Sequence, residues 1–154
     1  MSKSSMYLEQ LDRVRRWYNR FKNINDGIVH NQPSEYYQDE VYAFFLNCYH
    51  LKDWIKNDSA AASVAVRVEQ YINNTAELSL CADICNGLKH LKLRKNKSGE
   101  SPKFGSRKFE LNIGPGSTTI AVKYSVDTSS GPIDAFDLAT RCMEAWEKFF
   151  SSIQ

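Results

Sequence analysis

The sequence predicts a mainly helical fold, a four- to five-helix bundle with one antiparallel β-hairpin inserted before the last helix. Three observations predict it. Apolar residues recur at intervals of three and four along most of the chain, and strict alternation is confined to about Arg107 to Val126. Glycine, proline and Asn-Asp-Ser clusters punctuate the periodic segments. With 154 residues, 42% hydrophobic and 25% charged, the chain can fill one core, and 1–154 reads as a single domain.

Leu8, Leu11, Val14, Tyr18, Phe21 and Ile24 mark a first amphipathic helix that ends near Asp26-Gly27. A second opens after Asn31-Gln32-Pro33-Ser34, with Ser34 as the expected cap and Glu35 suited to the positive end of its dipole. Its face of Val41, Phe44, Phe45, Cys48, Leu51 and Ile55 is widened by Ala43, Leu46 and Trp54, which places this helix at the centre. Asn57-Asp58-Ser59 ends it and caps a third helix, striped by Val64, Val68, Tyr71 and Ile72. A fourth begins at Thr75, carries Leu78, Cys81, Cys85 and Leu88 as its apolar stripe, and runs on towards Leu91. Lys95 to Ser106 has the composition of a mobile connection. Phe109, Leu111 and Ile113, then Ile120, Val122, Tyr124 and Val126, alternate on either side of Gly114-Pro115-Gly116-Ser117, a hairpin whose apolar face should pack on the helices. Asp134 is the expected cap of a last helix built on Phe136, Ala139, Trp146, Phe149 and Phe150.

No stretch approaches the ~18 apolar residues of a membrane span, and the N-terminus lacks the apolar run of a secretory leader, so a cytoplasmic protein is expected. The four cysteines, Cys48, Cys81, Cys85 and Cys142, lie in apolar helical patterns and read as reduced, buried small hydrophobes. Zinc held by Cys81, Cys85 and His90 fails on geometry, because five helical residues turn about 500° and leave Cys85 and His90 roughly 140° apart. Gly-rich phosphate loops, Gly-x-Ser-x-Gly elbows and His-Glu-x-x-His motifs are absent. The leading reading calls for neither a metal nor a cofactor.

Net charge is +2, yet Lys89 to Lys108 holds eight positive residues against Glu100 alone. Such a stripe is either a footprint for phosphate-rich ligands or a solvated loop. Its first half supplies Lys89, Lys92, Lys95 and Lys97 as candidate phosphate contacts.

Two helices carry polar residues that packing does not require: Asn47, His50 and Asp53 on the second, and Asp83, Asn86, Lys89 and His90 on the fourth. Asp83 and His90 are about 20° apart around the helix, with Asn86 and Gly87 about 50° to either side. They share a stripe opposite Cys81, Cys85 and Leu88, and Arg94 joins it if the helix continues. A carboxylate, an imidazole and a guanidinium in a row can orient a base and hold a phosphate; alternatively Asp83 and His90 are exposed or satisfy one another. Gly87 costs ~1 kcal/mol inside a helix and asks for a close neighbour. His50 and Asp53 read as a buried, hydrogen-bonded pair, or as part of a metal site with Asp83 and His90 that lacks the Glu-x-x-His pairs of di-iron bundles.

Four helices, a polar motif ending in histidine on the penultimate long helix, a basic insertion and a final packing helix together resemble the HEPN domains, over most of the chain. The segment Asp83-Ile84-Cys85-Asn86-Gly87-Leu88-Lys89-His90 looks like a divergent form of their Arg-x4-6-His motif. The resemblance implies a metal-independent ribonuclease of toxin, antiphage or RNA-processing systems, working as a homodimer, with His90 as the family histidine and Asn86 as its internal polar residue. The arginine is missing, since Asp83, Ile84 and Cys85 hold its permitted places. Members with degraded motifs often serve as binding or regulatory modules. An RNA-acting HEPN-like module, a non-catalytic dimerisation or partner-binding module such as an antitoxin or adaptor, and a metal-dependent bundle enzyme are the three expectations.

Overall fold

The apolar periodicities form α1 (Met6–Asp26), α2 (Ser34–Asn57), α3 (Ala62–Asn73), α4 (Ala76–His90) and α5 (Ala135–Ser151). A 3-10 turn, Ser59–Ala61, joins α2 to α3, and a three-stranded antiparallel sheet of β1 (Lys103–Ile113), β2 (Thr118–Thr128) and β3 (Gly131–Asp134) precedes α5. The structure, a computed structural model, describes residues 5–29, 31–90, 97, 102–113 and 118–153. The hairpin turn at Gly114–Ser117 lies outside the described residues. No helix among them is long and apolar enough to cross a membrane.

α2 is the hub, as its wide apolar arc predicts. Val41, Phe44, Phe45, Cys48, Leu51 and Ile55 are wholly buried, and the helix packs against α1, α3, α4 and α5. Phe44 and Phe45 meet Phe21 of α1 at ring separations of 6.2 and 6.1 Å, and Phe136 of α5 stands edge-on to Phe21 at 5.3 Å. At the other end Tyr7 stacks on Phe150 at 5.3 Å, so α1 and α5 are joined through aromatic contacts.

The expected Ser34 cap is not made. Pro33 takes the cap position with φ −57°, which its ring already prefers, and Ser34 falls in the first turn. The approach to α2 is instead fixed by the Tyr37 hydroxyl, which accepts the Asn31 and Gln32 backbone N–H groups at 2.9 and 3.2 Å. Asp58 caps as expected and does more: its two oxygens accept Ala60 N–H at 2.9 Å and, across 51 residues, Tyr7 N–H at 3.0 Å in the first turn of α1. Those two backbone donors hold its carboxyl below the usual range. Asp134 accepts Asp137 N–H at 2.9 Å at the start of α5, also as expected.

The sheet is larger than the expected hairpin. A bulge between Phe104 and Arg107 interrupts the alternation that marks a strand, so Lys103–Ser106 reads as loop in sequence while belonging to β1. β3 is a four-residue strand of Gly131-Pro132-Ile133-Asp134, too short and too rich in turn residues to show a period. Ile28, in the α1–α2 link, also pairs with β2 by exchanging both backbone hydrogen bonds with Ile120, at 3.2 and 2.9 Å. β2 is thus flanked by β1 on one edge and by β3 and Ile28 on the other.

The apolar face of the hairpin packs on helices mainly along β2. Val122, Tyr124 and Val126 are buried beneath α1 and α5, whereas Phe109 and Leu111 of β1 are 53% and 59% exposed. β1 overhangs the helical layer, and Phe104 at its start is its aromatic anchor, 4.7 and 5.8 Å from Tyr42 and Phe45 of α2. Leu88, expected in the core stripe of α4, is also exposed, near the point where that helix runs out.

Gly27 ends α1 with φ 116° and ψ 124°, a conformation closed to other residues, and so turns the chain for Ile28 to reach β2. Gly27→Ala should lower unfolding stability by about 1–3 kcal/mol in urea titration. An unchanged midpoint would show that the link can reach Ile120 by another path.

Candidate functional site

Among the residues singled out on α4, Asp83 is fully buried, at 0% exposure, rather than lying on an open stripe. α4 is enclosed by α2, α3 and α5, so that Ser79 and the run Cys81, Ala82, Asp83, Ile84, Cys85 are all buried. Asp83 Oδ1 accepts the Lys97 backbone N–H at 2.7 Å. A buried carboxylate is therefore used to hold Lys97 against α4. Asn86 and Gly87 are half-buried in the next turn. A methyl group built at Gly87 would meet nothing within 4 Å, so the expected close neighbour is not found among the described residues.

Lys97 extends the attachment to α3, its ammonium lying 3.0 Å from Asn73 Oδ1 and 3.4 Å from Glu69 Oε2. Glu69 also takes Lys52 at 2.9 Å and Lys56 at 3.1 Å. Burial acts to raise the Glu69 pKa, but the hydrogen bonds of Lys52 and Lys56 with the charges of Lys52 and Lys97 outweigh it and hold it at about 2. Lys89 and His90 fall in the last turn of α4 by backbone position. Their side chains, with Lys92, Arg94 and Lys95, lie outside the described residues.

The polar residues of α2 do not join this corner. His50 and Asp53 are exposed rather than a buried pair, because they occupy the outer side of a helix whose inner arc is already filled by Cys48, Leu51 and Ile55. Asn47 is half-buried and serves as a clasp to α1: Gln10 donates to its backbone and side-chain oxygens at 3.0 and 3.3 Å, while Asn47 donates to Ala43 O at 2.8 Å. His50, Asp53 and Asp83 do not converge. The set among the described residues with ligand atoms close enough for one ion is Cys48, Cys81 and Cys142.

The basic stretch continues onto β1, where Arg107 and Lys108 are exposed. Arg107, Phe109 and Leu111 pair with Tyr124, Val122 and Ile120 and so share one side of the sheet, with Lys108 and Glu110 on the other. Burial pushes Tyr124 up to about 12, against the lowering charge of Arg107 beside it. A cation, an aromatic ring and an aliphatic side chain thus stand in a row on the uncovered part of β1. A cleft of about 420 Å³ elsewhere, between α4, the β2–β3 turn and α5, is bordered by Glu77, Asp134, Asp137 and Arg141 and by none of the candidate site residues. The cation within an alternating apolar run, Arg107-x-Phe109-x-Leu111, is the signal by which sequence could have marked the row as solvent-facing.

No family model, no curated protein and no solved structure matches the chain.

Asp83→Ala should destabilise the fold by ~1–3 kcal/mol, since it strips an acceptor from a buried position, whereas Gly87→Ala should add up to ~1 kcal/mol. Urea titrations of the two variants check both signs. A neutral Asp83→Ala would remove its anchoring role.

Glu69 titrates at 4.5 when unperturbed and at about 2 in the fold. The depressed value means that its contribution is fully present above about 4.5 and is lost as pH falls towards 2. Glu69→Gln should therefore lower the melting temperature at pH 7, with the gap to wild type closing between those two values. A gap independent of pH would assign the loss to packing rather than charge.

Proposed function

We propose that this protein is a HEPN-like RNA-binding module that lays single-stranded RNA along β1 and the basic segment leading into it. The observation that carries this reading is Phe109, half exposed between Arg107 and Leu111 on an uncovered strand. An exposed ring beside a cation suits base stacking, while Arg107 and Lys108 suit phosphates. The layout of helices and the motif ending in His90 support the family resemblance. With the arginine absent and Asp83 committed to Lys97, binding is better supported than cleavage.

Anisotropy titration with labelled single-stranded RNA tests it. Phe109→Ala should weaken binding roughly five- to hundredfold, the range of one lost stacking contact. Replacing Lys95, Lys97 and Lys103 with glutamine should flatten the salt dependence, because fewer counterions are released. Binding that ignores both changes would sink the proposal. Metal-independent cleavage that leaves a 2′,3′-cyclic phosphate and is lost in His90→Ala would make the module a ribonuclease of the toxin or antiphage kind.

A second reading, a homodimer or partner-binding module, is favoured by the outer edge of β1, which no other described strand pairs with. Antiparallel pairing of two copies about Phe109 would set Lys108 of each opposite Glu110 of the other. Sedimentation separates the readings: a wild-type dimer converted to monomer by Phe109→Ala supports the second.

A further inference from the structure

We infer that the centre of the bundle holds a binding site for a soft, thiophilic metal ion, copper(I) first among them, formed by Cys48, Cys81 and Cys142. The three thiols come from three different helices, α2, α4 and α5, and their sulfur atoms all lie within 4.8 Å of one another. All are buried, and no disulfide uses them. One small core cysteine is ordinary packing; three sulfurs from three helices within reach of one ion form a donor set.

Sulfur-only donors in a dry site select soft ions, and three of them match copper(I), whereas zinc usually takes four ligands. Cys85, one turn after Cys81, stands outside the group; its thiol donates to Phe45 O at 3.0 Å, while Cys81 and Cys142 make longer bonds of 3.4 Å to Phe45 O and Glu77 O that metal binding would replace. A second observation points the same way. The indole N–H of Trp146, near Cys48 in the same core, is wholly buried and has no hydrogen-bond partner among the described residues. Natural cores rarely leave such a donor unused, and a metal-bound thiolate at Cys48 would give it an anionic acceptor. On binding, each thiol exchanges its S–H bond for an S–metal bond and releases the proton to solvent, with no change of oxidation state.

The test refolds the full chain without oxygen in the presence of copper(I), then challenges it with a chromophoric copper(I) chelator. One copper per chain should be retained, with a near-ultraviolet sulfur-to-copper band. Cys48→Ala and Cys142→Ala should each weaken retention at least tenfold, and Cys85→Ala should leave it unchanged. X-ray absorption of the wild-type chain needs no variant and should show sulfur ligands alone. Failure of the wild type to retain copper, retention untouched in Cys48→Ala and Cys142→Ala, or nitrogen ligation would each overturn the site and return the thiols to packing.

Discussion

A helix with apolar residues around most of its circumference keeps only a narrow water-facing side, so α2 must be covered on all the others. That requirement sets the architecture. α1 and α5 meet the Phe44–Phe45 end through Phe21 and Phe136, α3 and α4 close the opposite flank, and Phe104 brings the sheet to the same centre. The sheet is held by β2, which packs beneath α1 and α5, and β1 follows through its pairing with β2, the Phe104 anchor and the Arg107 hydrogen bond to Gln38 of α2. The outer half of β1 is exposed because α2 is already enclosed before the sheet reaches that far.

The polar residues are distributed by the same logic. A carboxylate inside the packed turn of α4 is costly unless charge-assisted hydrogen bonds satisfy it, and Asp83 receives one from the Lys97 backbone. Lys97 is therefore held at a fixed point. Glu69 adds a second tie on α3 and, by holding three lysines, takes part of the positive charge out of circulation. What remains open to a polyanion lies further along, at Arg107 and Lys108.

Helices were legible because their signal is local: a period of three and four residues survives whatever packs on it. The caps at Asp58 and Asp134 were legible for the same reason. Ser34 was not, because a proline one residue earlier competes for the cap position. The start of β1 was lost to a bulge, and β3 to its length. The candidate site was less readable. Angular spacing placed Asp83 on the same side of α4 as His90, but spacing cannot say whether three other helices cover that side. His50 and Asp53 fail for the converse reason, being on the one side of α2 left open. The gathering of Cys48, Cys81 and Cys142 depends on how α2, α4 and α5 cross, which no stretch of sequence contains.

The pairing of Ile28 with β2 also bears on the order in which the chain can be completed. All four helices up to His90 precede the strand that finishes their connection, and Lys123 donates to Asn25 O at 2.7 Å across 98 residues. At ~5–20 residues per second that partner leaves a ribosome some 5–20 s later. For that interval the α1–α2 link has its backbone groups open, and the nascent helical half is an acceptor waiting for a strand of its own chain, or of any other that arrives first.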